Sequence, residues 1–214
     1  MLVKLKRSYR KLAVMIVKIR TIILPVILIL LVFMVAGCVD NENSNTNSND
    51  VNTGTWIDDY SPVHGVGTGS DNFWIEFPST SKYSSQSVDH LSWIQDSLDQ
   101  HCVVFVVHKT GCAGCAAQAE RVIDLAGEYE NMVAFWDLDI PLGGDIEQKA
   151  YDSYLYDPDG PPGYIALTGV FTYVEHDGET KIGWHSWEGN VADSDMEEWI
   201  QDAIYYYHVN SGGK

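Results

Sequence analysis

The chain has 214 residues, with 13 Lys and Arg against 30 Asp and Glu, and its formal net charge is −17 at pH 7. Residues 1–37 contain seven of the basic residues and no acidic ones, so residues 38–214 hold six basic and 30 acidic residues, a formal charge of −24. Such an acidic surface argues against nucleic acid as a partner and against flat docking on anionic lipid.

Residues 1–37 have the pattern of an export signal: a basic start, then the apolar run TIILPVILILLVFMVAGC. Val35-Ala36-Gly37-Cys38 resembles a lipobox, after which cleavage would leave Cys38 as a lipidated N-terminus. Met15 is an alternative start that gives a signal of ordinary length, and the alternative to cleavage is an uncleaved membrane anchor. Either way, the basic end stays inside and the acidic body lies on the extracytoplasmic face of the cell membrane.

The composition of residues 38–55 predicts a solvated tether. They include DNENSNTNSNDVNTGT, which is rich in Asn, Ser and Thr and has almost no apolar side chain to bury. The remaining stretch, 56–210, has the length of one folded domain.

The first half of that domain contains two strand patterns and two helix patterns. Residues 71–77 are aromatic and β-prone, and residues 87–100 carry Leu91, Ile94 and Leu98 at helical spacing. The Val-rich run at 102–109 predicts a strand covered on both faces, and an Ala-rich helix follows over 112–130.

The second half predicts a strand, a short helix, a hairpin and a last helix, at 131–140, 145–156, 163–189 and 194–209. Asp177-Gly178 is the turn signal of the hairpin, and Ser194 with Glu197 has the spacing of a capping box. Strands alternating with helices predict one central mixed sheet with helices on both faces, an α/β/α sandwich.

The motif GCAGC places Cys112 where the buried strand passes into a helix. Backbone N–H groups and the positive end of the helix dipole stabilise a thiolate there, which makes Cys112 a candidate nucleophile. Cys115, one turn later and more buried, is suited to resolve a mixed disulfide.

Two other interpretations of the pair stay open. A zinc or copper site needs further ligands, and the sequence offers His108 and His185 but no second C-x-x-C. A structural clip would close too short a loop to stabilise much. The strand places Cys102 roughly 20 Å from the cysteine pair, which predicts an inert buried thiol.

The body resembles the thioredoxin superfamily over residues 71–207. The resemblance rests on the strand–CAGC–helix junction, the strand VAFWDLDI, the Pro161-Pro162 pair before GYIALTG, and KIGWHS in the last strand. It implies a thioredoxin-like fold and thiol–disulfide exchange, with no cofactor and no metal. It also implies a cis proline, Pro162 first and Pro161 second, and a substrate groove lined by Gly183. Alternation along the strand then places one of Trp184 and His185 beside that groove, with Trp184 as the candidate.

The chain also departs from that family. Val106 stands where thioredoxins carry a buried Asp, Gly111 stands where they carry Trp, and no Pro separates the cysteines, so the direction of electron flow stays open. His108 is a candidate proton acceptor.

The leading hypothesis is a membrane-tethered, extracytoplasmic thiol–disulfide oxidoreductase acting on cysteines of exported proteins, with a membrane redox partner that the sequence does not identify. The alternatives are a metal-binding or metal-delivery lipoprotein and a redox-inactive adaptor on the same fold.

Overall fold

The computed structural model of the chain describes residues 56–213. The predicted signal or anchor at 1–37, the lipidation site Cys38 and the tether at 38–55 lie outside the described residues. Within 56–213, no helix combines the length and the apolar character needed to cross a membrane.

The described part forms a mixed α/β structure. Its elements in chain order are β1 (Gly65–Val66), β2 (Asn72–Phe73), α1 (Ser92–Leu98), β3 (Cys102–His108), α2 (Ala113–Glu128), β4 (Val133–Asp139), α3 (Gly144–Asp152), β5 (Leu167–His176), β6 (Glu179–Glu188) and α4 (Asp193–Asn210). Short 3₁₀ turns at Ile140–Leu142 and Ser153–Tyr156 flank α3.

The central sheet has four strands in the order β4-β3-β5-β6. Strands β3 and β4 are parallel, whereas β3 with β5 and β5 with β6 are antiparallel. One end of the sheet therefore contains the carboxyl ends of β3, β4 and β6 and the amino end of β5. We call it the cysteine end because Cys112 follows β3 there.

Helices cover both faces of this sheet. Alternate residues of β3, such as Val104 and Val106, pack with α2 and α4, whereas Val103, Phe105 and Val107 pack with α1 and α3. Both faces of β3 are buried, which explains why its sequence is continuously apolar rather than alternating. The predicted fold class, a three-layer α/β/α sandwich with a central mixed sheet, is thus confirmed.

The hairpin turn is also as predicted. His176 pairs with Glu179, which leaves Asp177 and Gly178 as a two-residue loop with φ of 55° and 77°. A turn with positive φ at both central residues favours Asp-Gly, and it matches the twist of the flanking strands.

Two predictions in the first part of the domain are wrong in extent. Only Asn72–Phe73 of the predicted strand 71–77 is a strand, because the following Trp74 makes an isolated bridge to Trp184 instead of continuing a ladder. The helix predicted at 87–100 covers Ser92–Leu98, since Leu91 is extended and its N–H donates to the hydroxyl of Tyr156.

The predicted capping box on the last helix does not form. Helix α4 begins at Asp193, and its N-cap is Ala192, two residues before the predicted cap Ser194. The Ser194 hydroxyl bonds to Asp195 instead of capping the helix. Glu197 accepts hydrogen bonds from Tyr129 and Gln201. The Glu197 carboxylate, which the local pattern assigned to the cap, is therefore used in contacts between α4 and the end of α2.

Candidate functional site

Cys112 and Cys115 form a disulfide bond, with Cα atoms 5.4 Å apart. The structure thus brings together the two cysteines that the sequence singled out. It leaves the third cysteine of the described residues, Cys102, as a buried free thiol.

The backbone places Cys112 at the N-terminus of α2. Cys112 is the N-cap residue, and its carbonyl accepts the N–H groups of Cys115 and Ala116 at 3.1 and 3.2 Å. The first turn of this 16-residue helix contains no acidic side chain that would offset the positive end of its dipole. A thiolate formed at Cys112 on reduction would therefore be stabilised.

The two sulfur atoms differ in access to solvent. Cys112 is half-buried, whereas Cys115 is fully buried against the core between α2 and the sheet. Gly111, just before the pair, is exposed and has φ of +85°, a conformation that side chains disfavour. An incoming partner would reach Cys112 first, and Cys115 could act only from within.

A polar network centred on Gln118 lies on the same helix as the buried cysteine. Gln118, one turn after Cys115, is fully buried and donates from Nε2 to the Thr168 hydroxyl at 3.1 Å. Its Oε1 accepts the N–H of Val191 and a guanidinium hydrogen of Arg121. Thr168 in turn pairs across the sheet with Val106.

Val106 stands at the position where thioredoxins carry an Asp. Its cross-strand neighbour Thr168 is hydrogen-bonded to Gln118, so a neutral amide and a hydroxyl lie beside it. The sequence analysis missed Gln118, which was indicated only by a Gln on the buried face of an Ala-rich helix.

His108 ends β3 and lies against two carboxylates of β4. Its Nε2 is 2.6 Å from Asp137 Oδ1, and its Nδ1 is 4.0 Å from Asp139 Oδ1. Asp139 also accepts the backbone N–H of Thr110 at 2.8 Å and the Thr110 hydroxyl. The role of His108 as a proton acceptor stays a prediction, and sequence reasoning missed the link between Thr110 and Asp139.

The peptide bond between Pro161 and Pro162 is cis, and both prolines are exposed. The peptide bond between Ile165 and Ala166, directly before β5, is also cis. Ala166 is fully buried in the same core cluster as Cys115, and its carbonyl accepts the N–H of Gly189 at 2.8 Å. The groove role of Pro161 and Pro162 stays a prediction.

The groove assigned to Gly183 and Trp184 needs correction. Gly183 is buried and pairs with Thr172, five residues before β6 ends at Glu188, which is roughly 17 Å from the cysteine end. Trp184 is fully buried among Trp74, Tyr156 and Phe171 in the core beneath α1 and α3. Neither residue can line a groove at the cysteines.

The metal-site alternative gains no third ligand from the described residues. Among residues 56–213, the group of acidic, His or Cys side chains close enough to share an ion is Asp157, Asp159 and Glu188, without either cysteine. His185 is buried in the interior, and its Nδ1 lies 2.8 Å from the carbonyl of Asn72.

A cavity of about 490 Å³ lies at edge strand β4, between α1 and α3. Trp93, Trp136 and Lys149 are among its lining residues, and neither cysteine is. It is a separate feature from the disulfide.

No family model matches the chain, and no curated protein matches it. Among solved structures, the chain is similar to thioredoxin O2 from Arabidopsis thaliana in its oxidized state, at 13% sequence identity and a TM-score of 0.34. The match covers 53% of this chain and 88% of that one. At this TM-score, the similarity supports neither an activity nor a substrate for this chain.

Proposed function

We propose that the protein is a thiol–disulfide oxidoreductase that uses Cys112 and Cys115 as its redox pair. The observation that carries this proposal is the disulfide itself, between a half-buried sulfur at a helix N-terminus and a fully buried sulfur one turn later. A purely structural bridge across three residues would add little stability, so this placement favours a chemical role.

The exchange proceeds in two steps. In the reduced protein, the Cys112 thiolate attacks one sulfur of a substrate disulfide, forms a mixed disulfide and releases the other substrate sulfur as a thiolate that takes up a proton. Cys115 then loses its proton and attacks Cys112 Sγ, which releases the second substrate thiol and regenerates the Cys112–Cys115 disulfide. Two electrons pass to the substrate, and the same steps in reverse oxidise a substrate dithiol.

The cellular setting is part of the proposal and rests on the sequence. The basic and apolar segment at 1–37 and the lipobox-like stretch ending at Cys38 support an extracytoplasmic, membrane-attached protein. Its substrates would be cysteines of exported proteins, and a dithiol or disulfide partner at the membrane would restore the pair. A Cys38→Ser variant expressed in its host should lose lipid labelling; unchanged labelling would contradict lipidation at Cys38.

The activity can be tested by reduction of insulin disulfides with dithiothreitol as the electron donor. The purified full chain in detergent should accelerate insulin precipitation, and Cys112→Ser should reduce the rate to that of dithiothreitol alone. Cys102→Ser is the matched control and should keep the wild-type rate. Equal rates for wild type and Cys112→Ser with every dithiol donor would refute the proposed activity.

A further inference from the structure

Two carboxylates on β4 lie beside the cysteine end but make different contacts. Asp137 and Asp139 are two residues apart and so point to the same face of the sheet, where both approach His108. The Asp139 side chain is 11% exposed, whereas the Asp137 side chain is 43% exposed. Asp139 binds the loop that leads to Cys112, and Asp137 binds His108.

That loop, 109–111, connects β3 to α2. Lys109, Thr110 and Gly111 are all exposed, so little packing holds them. The Lys109 carbonyl accepts the N–H of Cys112 at 2.9 Å, and Thr110 gives both its backbone N–H and its hydroxyl to the Asp139 carboxylate. These bonds connect the residues just before the nucleophile to a neighbouring strand of the rigid sheet.

The Asp139 side chain is held in its ionised form. Burial alone would raise its pKa, but the two hydrogen bonds from Thr110 and the nearby His108 outweigh it, so the pKa lies below the usual range of an Asp. Hydrogen bonds to an ionised acceptor are stronger than neutral ones, which makes the link to Thr110 a firm one.

We propose that Asp139 is a positioning residue that acts through Thr110 to hold Cys112 in the geometry required for attack on a substrate disulfide. This inference rests on the proposed function. Its physical basis is that a nucleophile loses rate when its approach to the reacting atom is no longer fixed. The Asp139 carboxylate is also a negative charge bound to the loop that leads to Cys112, and a nearby negative charge opposes thiolate formation. The other titratable groups at this end of β3 and β4 are His108, Asp137 and Lys109.

The test measures Cys112 alone, in a Cys115→Ser background of the full chain. The rate of mixed-disulfide formation with a small disulfide-bonded peptide is followed from acid to alkaline pH. The midpoint of the profile reports the Cys112 thiolate, and the plateau at high pH reports the reactivity of the thiolate once formed. These two quantities separate a charge effect from a positioning effect.

Asp139→Asn should move the midpoint to lower pH and lower the plateau rate by about tenfold. A lower thiol pKa weakens nucleophilicity with a Brønsted coefficient of about 0.4–0.5, so even a shift of one unit explains only about a threefold loss. Asp137→Asn is the matched control on the same strand and face, and it should keep the plateau within about twofold of the parent.

Thr110 gives an independent arm because it is exposed, so changes there should not unfold the domain. Thr110→Val keeps the backbone N–H and the side-chain shape but removes the hydroxyl, and should lower the plateau about threefold without moving the midpoint. Thr110→Ser restores the hydroxyl and should recover the rate. This arm decides the matter if Asp139→Asn fails to fold.

Equal plateau rates for Asp139→Asn and Asp137→Asn, or for Thr110→Val and Thr110→Ser, would overturn the inference. Failure of the proposed function looks different: Cys112 of the parent would then form no mixed disulfide at any pH. A reactive parent with insensitive Asp139 and Thr110 variants would therefore reject the positioning role and leave the oxidoreductase proposal standing.

Discussion

Strand β3 has a cysteine near each end, and the two thiols lie in opposite environments. Cys102 begins the strand, is fully buried, and directs its Sγ to the carbonyl of Met132 at 3.4 Å. Burial raises the pKa of this thiol far above its usual range. Cys112 follows the other end after a short loop, is half-buried, and begins a helix.

The comparison shows that placement along the strand, not residue type, decides what a sulfur can do. At the Cys102 end, the chain enters the sheet beside the start of β4, and Cys102 packs in the core cluster that includes residues of α2 and α4. At the Cys112 end, the chain leaves the sheet, and the unpaired N–H groups of a new helix face solvent. An interior position suppresses ionisation, whereas a helix start favours it.

The largest expected effect is a difference in thiol reactivity. In the reduced, folded protein at pH 8, iodoacetamide should modify Cys112 faster than Cys102 by on the order of a thousandfold, since only the thiolate reacts. Peptide mapping by mass spectrometry measures both rates. In concentrated urea the two rates should converge, and similar rates in the folded protein would break the comparison.

Histidine extends the comparison, because His185 is buried as Cys102 is. Burial, assisted by the nearby His64 and opposed by the bond to the Asn72 carbonyl, lowers the pKa of His185 to about 4. Between about pH 6.5 and 4, the unfolded chain therefore binds a proton at His185 that the folded chain does not. The free energy of unfolding is unaffected by His185 above this window and falls as the pH decreases through it.

The loss from His185 at the acid end should be about 3 kcal/mol. His90, whose pKa burial also lowers to about 4, adds a loss of the same sign. Urea unfolding at several pH values should show a shallower pH dependence for His185→Gln. The exposed His208→Gln should keep the wild-type slope, and an equal flattening by both variants would contradict this account of His185.

The smallest expected effect is on stability at the two cysteines. Cys102→Ala removes a buried sulfur and should lower the free energy of unfolding by about 1–2 kcal/mol, with insulin reduction unchanged. Cys112→Ala should abolish insulin reduction but change the free energy of unfolding of the reduced protein by less than about 1 kcal/mol. Urea titration of both reduced variants measures this, and a reversed order would count against it.

Much of this difference could be predicted from the sequence. The continuous apolar run of β3 requires burial on both faces, and the glycine and small residues after it mark the change to a helix. Those two patterns were enough to assign Cys102 to the core and Cys112 to a helix start. The spacing of Cys112 and Cys115 on one helical turn allowed a disulfide but left a metal site open, and the structure shows the disulfide.

Other parts of the site depend on which strands become neighbours. The bond between Thr110 and Asp139 joins residues 29 apart and forms only because β3 and β4 pair in parallel. Gly183 was placed at the groove because KIGWHS resembles a thioredoxin strand, and Trp184 because it follows Gly183 on that strand. A local likeness indicates the strand but not the depth of a residue along it, and β6 continues to Glu188.

The central claim, that Cys112 is the attacking sulfur of a redox pair, is tested most directly by trapping the mixed disulfide. The reduced Cys115→Ser variant is mixed with a disulfide-bonded peptide, and the adduct is located by mass spectrometry. The account predicts one stable adduct at Cys112, whereas the wild type should release the peptide and close its own disulfide. No adduct, or an adduct at Cys102, would contradict it.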